Sequence, residues 1–170
     1  RYYELVFCLL TPQSNAQRCW QAVEEIKKTK QLNYKSINEI LKTKTRFHNN
    51  KTKYILESKD AWEKIKINLN NPNIKELRNW LADNILGLGL KEASHFLRNV
   101  GLSNNKIAIL DRHILKNLKQ NSIINEDKIK NNKHYLEIEN AYLSFASSIK
   151  IPPDELDLLF WSNENGEIFK

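Results

Sequence analysis

Lys91 and Asp111 carry the most suggestive chemistry in this chain of 170 residues. A lysine amine that is partly desolvated near other cations can lose its proton, attack an electron-poor sugar carbon and form a Schiff base. A carboxylate facing it can stabilise the positive charge that develops and help to move a proton. Together the two could break a glycosidic bond. Each residue also has a plain reading, Lys91 as a phosphate contact or a solvated charge, Asp111 as the cap of a helix. What makes the pair specific is its setting. Lys91 follows the second glycine of Gly87-Leu88-Gly89 by two residues, and Asp111 lies twenty residues further on.

The elements around that pattern are helical. Ile74, Leu77, Leu81 and Ile85 fall on one stripe, and Ala93, Phe96, Leu97 and Val100 on another, ending at Gly101. Apolar residues at this period mark amphipathic helices, and a glycine just past the last turn is a usual stop. Between the stripes, the hairpin at about 85–91 needs positive φ, which glycine supplies without strain. Bare glycine amides can also approach a phosphate, and the positive end of the following helix points at the same place. Gly87, Leu88 and Gly89 are therefore candidates to hold a DNA backbone without reading its sequence. A helical hairpin whose glycines serve packing alone is the plain alternative.

Charge fits a polyanionic partner. Lys+Arg number 27 against Asp+Glu 20, a net +7, and the isoelectric point is near 9.3. Abundant lysine and asparagine can equally reflect a general compositional bias. Cys8 sits in an apolar run and Cys19 beside Trp20, so both read as small buried hydrophobes in a reducing compartment. Two cysteines are too few for a four-thiolate iron–sulfur cluster. The longest apolar run, Leu5 to Leu10, is far short of the ~20 residues that span a bilayer. No membrane partner and no secretory signal are expected.

The remaining punctuation predicts an all-α fold of about eight helices, in one core or two small lobes. Thr11-Pro12 predicts a helix start running to Lys28, and Lys51 to Lys66 a single helix. Asp111 opens a helix carrying Ile114, Leu115 and Leu118, and the polar segment 120–133 is a loop or weak helix. Tyr135, Ile138, Tyr142, Phe145 and Ile149 form another stripe, and Ile151-Pro152-Pro153-Asp154 starts a short last helix ending near Trp161.

The pattern GLGLKEASHFLRNVGL…AILDRHIL resembles the helix–hairpin–helix DNA glycosylase superfamily, and more particularly the type-2 8-oxoguanine DNA glycosylases. The likeness extends through LLTPQSNA, RFHNNKTKYI and the tail DELDLLFWSNENGEIFK. It implies a single unit of two helical lobes with a cleft between them. The middle lobe would span about 30–118, and the N- and C-terminal segments would form the other.

The resemblance also implies excision of 8-oxoguanine from double-stranded DNA, with strand nicking by β-elimination; a glycosylase for another damaged base and a non-catalytic helix–hairpin–helix DNA-binding module are the alternatives. Lys91 would be the Schiff-base nucleophile and Asp111 the catalytic carboxylate. Gln13 would be the wedge that fills the gap left by a flipped base. Phe47 and Trp161 would be flat walls around that base. His95, one turn after Lys91, would line the pocket or serve as a structural histidine. A terminal carboxylate at Lys170 would accept hydrogen bonds from the guanine edge.

No cofactor or catalytic metal is implied, only a monovalent cation bridging hairpin carbonyls to phosphate. A monomer acting on DNA in the cytoplasm, at the nucleoid, is the expected form. Beginning at Arg1 inside an apolar segment, the chain starts late for this family, as if a leading helix were missing. The loop Ser103–Lys106 is slightly long for it.

Overall fold

The computed structural model describes residues 1–166. They form ten helices: α1 (Tyr2–Leu10), α2 (Ala16–Lys28), α3 (Tyr34–Lys42), α4 (His48–Asp60), α5 (Trp62–Asn68), α6 (Ile74–Asn84), α7 (Leu90–Asn99), α8 (Arg112–Gln120), α9 (Asn132–Ser148) and α10 (Pro153–Asn165). The all-α expectation holds.

Several helices end where side-chain chemistry ends them. Asn15, Asn33, Asn73, Asp111 and Asn131 each cap a helix by accepting a backbone N–H. Gly101 closes α7 in the left-handed region at φ 75°. The Gly101 N–H bonds the Arg98 carbonyl and the Leu102 N–H the Leu97 carbonyl, a two-bond closure that satisfies orphan carbonyls.

Two boundaries differ from expectation, and the helix at residues 2–10 was not among those expected. Residues 2–10 are a helix, although Leu5 to Leu10 offer no polar face. All six are buried, because α1 packs against α2, α4 and α7 and is enclosed on every side. Thr11-Pro12 does not start a helix. Thr11 is the C-cap of α1, Pro12 to Ser14 form a turn, and Asn15 starts α2. The expected helix from Lys51 to Lys66 begins earlier, at His48, and breaks at Ala61 into α4 and α5.

Buried apolar side chains gather in two clusters. The first draws on α1 to α7 and ends at Ile107. The second begins at Ala108 and draws on α8 to α10. The N-terminal helix packs with α2, α4 and α7 in the first cluster. Leu90, the first residue of α7, packs on the second cluster, whereas Ala93, Phe96 and Leu97 belong to the first. Helix α7 therefore begins at the seam.

A buried polar bridge crosses that seam. Arg78 on α6 is 0% exposed and Glu139 on α9 is 1% exposed. Their forked contact closes at 2.9 and 3.2 Å. Glu139 also accepts the Ala108 N–H at 2.9 Å, and the Tyr135 hydroxyl donates to the Ala108 carbonyl at 2.7 Å. The extended segment leading to Asp111 is so fixed by α9.

Candidate active site

The hairpin places the amine. Gly87 has φ 90°, and a Cβ there would collide with the Tyr54 ring of α4, so both backbone angle and space exclude a side chain. Gly89 is the N-cap of α7, and its N–H is taken by the Glu92 carboxylate at 3.2 Å. The other oxygen of Glu92 lies 2.8 Å from Lys91 Nζ, whose side chain is one-third exposed. Lys91 thus stands beside Leu90 at the seam, its ammonium held to the hairpin by one carboxylate.

Asp111 is the cap of α8, as its plain reading required, and more. Oδ1 accepts the N–H groups of His113 and Ile114 at 2.8 and 2.9 Å. Oδ2 accepts the indole N–H of Trp161, from α10, at 2.9 Å. A carboxylate gripped on both oxygens has one orientation. Trp161 also faces the His113 ring at 5.3 Å. The indole therefore meets Asp111 directly, a contact that the expected stacking role did not include.

A groove of about 400 Å³ gathers three other predicted residues, Gln13, Phe47 and Gly87, with Lys51, Tyr54 and Glu92 in its lining. Gln13 and Phe47 are both left-handed, at φ 53° and 56°. Non-glycine residues held there cost about 1–3 kcal/mol each and persist only where surrounding contacts enforce them. Phe47 is 53% exposed, with the Arg46 guanidinium 5.3 Å from its ring centre. His95 packs edge-on against Phe7 of α1, ring centres 5.7 Å apart, and is half-buried. Lys170 lies outside the described residues.

Sequence reasoning missed Lys51. It is 3% exposed, and its amine donates to the carbonyls of Leu10 and Pro12 and to Ser14 Oγ at 2.7, 2.9 and 2.9 Å. Burial pushes it down to about 8. Asp157 was missed as well. It lies buried on α10, with Arg98 of α7 at 3.4 Å, and burial pushes its carboxyl up to about 7 despite that cation. The signal for either would have been a charged side chain on an inward helix face. Among the described residues no three His, Cys, Asp or Glu side chains come together as a metal site. No helix among them is long and apolar enough to cross a membrane.

An all-helical chain whose glycine hairpin delivers a lysine to the seam between two cores is a helix–hairpin–helix protein. A family model described as 8-oxoguanine DNA glycosylase matches residues 1–151, and the chain belongs to that family. It is similar to the 8-oxoguanine DNA glycosylase/AP lyase of Fusobacterium nucleatum, 45% identical with 99% of this chain and 82% of the relative covered. The corresponding protein of Methanocaldococcus jannaschii is 36% identical, with 99% and 82% covered. Among solved structures, the M. jannaschii 8-oxoguanine glycosylase/lyase in complex with 15mer DNA containing 8-oxoguanine superposes with TM-score 0.89 at 34% identity, covering 99% of this chain and 82% of that one. The Thermotoga maritima 8-oxoguanine DNA glycosylase gives 0.85 at 30%, covering 99% and 81%.

Proposed function

We propose that this chain removes 8-oxoguanine from duplex DNA and then nicks the strand by β-elimination. The observation that carries the reading is Asp111, oriented on both oxygens by the start of α8 and by Trp161, in a chain whose glycine hairpin sets Lys91 in the first turn of α7. The relatives named as 8-oxoguanine DNA glycosylase/AP lyases support the substrate and both activities.

The lesion must leave the stack before its sugar can be reached. Gln13 fills the gap, Phe47 and Trp161 flank the extruded base, and His95 lines the pocket from α7. Lys91 gives up its proton and attacks C1′, and the bond to the base breaks with its electron pair going to the leaving purine, which takes up a proton. Asp111 stabilises the positive charge on the sugar. Ring opening leaves a Schiff base between Lys91 and C1′. Loss of a C2′ proton then expels the 3′ phosphate. The amine supplies the nucleophile, so no metal is needed. The hairpin carbonyls hold at most a monovalent cation bridging to phosphate. The protein works as a monomer on intracellular DNA.

Borohydride trapping on a duplex with one 8-oxoguanine tests this, with wild type beside Lys91→Gln. The expected result is a covalent adduct with wild type alone, while both proteins bind the duplex. Tight binding by wild type without adduct or base release would refute it.

A further inference from the structure

One amine bonds groups beside Gln13 and, through Ser14 Oγ, meets the backbone beside Phe47. Lys51 donates to the Pro12 carbonyl and to Ser14 Oγ, the groups on either side of Gln13. Ser14 Oγ in turn accepts the N–H of Arg46 at 3.0 Å, next to Phe47. The third donation goes to Leu10, at the carbonyl end of α1, where Cys19 Sγ also donates at 3.2 Å. An ammonium has three donors, and all three are used. None of the acceptors is a carboxylate. A lysine kept only for packing would be replaceable by an apolar side chain, whereas here the amine ties two groups of the loop to the end of α1.

We propose that Lys51 is a positioning residue of the excision reaction. Its amine holds Gln13 and Phe47 side by side, so that base extrusion meets a preformed wedge and wall. The inference rests on the wedge and wall roles given to those two residues. Extrusion and capture of the base depend on them, whereas β-elimination at a pre-existing abasic site has no base to capture. Loss of Lys51 should therefore separate the two steps.

The experiment compares single-turnover rates at saturating enzyme on an 8-oxoguanine duplex and on a duplex with a preformed abasic site. The variants are Lys51→Met, Ser14→Ala, which removes only the relay, and Gln13→Ala/Phe47→Ala with and without Lys51→Met. The expected result is a fall in the ratio of excision to β-elimination of about tenfold or more for Lys51→Met, and a smaller fall for Ser14→Ala, as for misplacement of positioning groups elsewhere. Lys51→Met should add little to the Gln13→Ala/Phe47→Ala pair. Should Lys51→Met fail to fold, Ser14→Ala alone decides by the same ratio. Proportional slowing of both steps, an unchanged ratio in folded protein, or full additivity with the pair would overturn the inference. Normal excision by Gln13→Ala/Phe47→Ala would overturn it alone, whereas a wild type that excises no 8-oxoguanine would overturn the proposed function with it.

Discussion

Replacing Glu139 with leucine would leave Arg78 with no carboxylate in a site of 0% exposure. Unpairing one member of a buried ion pair costs about 3–5 kcal/mol. The Ala108 N–H, which Glu139 accepts at 2.9 Å, would also lose its partner, at about 1–3 kcal/mol. Arg78 retains Ser94 Oγ at 3.3 Å and Asn79 Oδ1 at 2.8 Å, so the lower end of each range applies. Together they give about 4 kcal/mol. For a domain of this size each kcal/mol moves Tm by about 2–4 °C, so the midpoint should fall by about 8–16 °C. Urea titration at neutral pH and thermal melts followed by circular dichroism would read both quantities. Arg78→Met/Glu139→Leu removes both charges at once and should recover most of the loss. The reasoning is wrong if the single variant stays within about 1 kcal/mol of wild type, or if the double variant is no more stable than the single.

Two further outcomes follow from the site. Trp161→Phe keeps a ring but removes the hydrogen bond to Asp111. A bond to a charged group is worth about 1.5–3 kcal/mol, so single-turnover excision should slow by about 10- to 100-fold with little change in DNA affinity. Equal rates would show that the indole does not orient the carboxylate. Asp157 titrates near 7 when folded and near 4 when unfolded. Between those values the folded state holds a proton that the unfolded state has released, so this group's contribution to stability is present at low pH and lost as pH rises towards 7. Asp157→Asn should remove that downward slope between about pH 4 and 7. Parallel stability curves for variant and wild type would refute the assignment.

The parts of the molecule legible in sequence were those with a period or a cap. The stripes of α6 and α9, the glycines around α7 and the capping aspartate of α8 all announce themselves locally. Helix α1 did not, because a helix buried all round has no polar face to set a phase. Thr11-Pro12 misled because a hydroxyl before proline suits a turn as well as a helix start, and Asn15 was the better cap. The break at Ala61 has no glycine or proline to mark it. Lys51 was hidden by company: among 27 lysines and arginines, nothing local distinguishes the one that faces inward. The Trp161–Asp111 bond spans 50 residues of sequence, and only tertiary packing brings the two together.

That long reach has a consequence for the order in which the protein is made. Chains emerge from the ribosome N-terminal end first, at about 5–20 residues per second. The first cluster closes at Ile107, so the hairpin and its lysine are translated before α9 and α10. Asp111 waits for α10 and receives the indole that holds its second oxygen only when Trp161 arrives. A chain lacking α9 and α10 has neither Glu139 to pair with Arg78 nor Trp161 to hold Asp111. The buried pair across the seam and the second hydrogen bond to Asp111 therefore form late, after the residues they serve have been made.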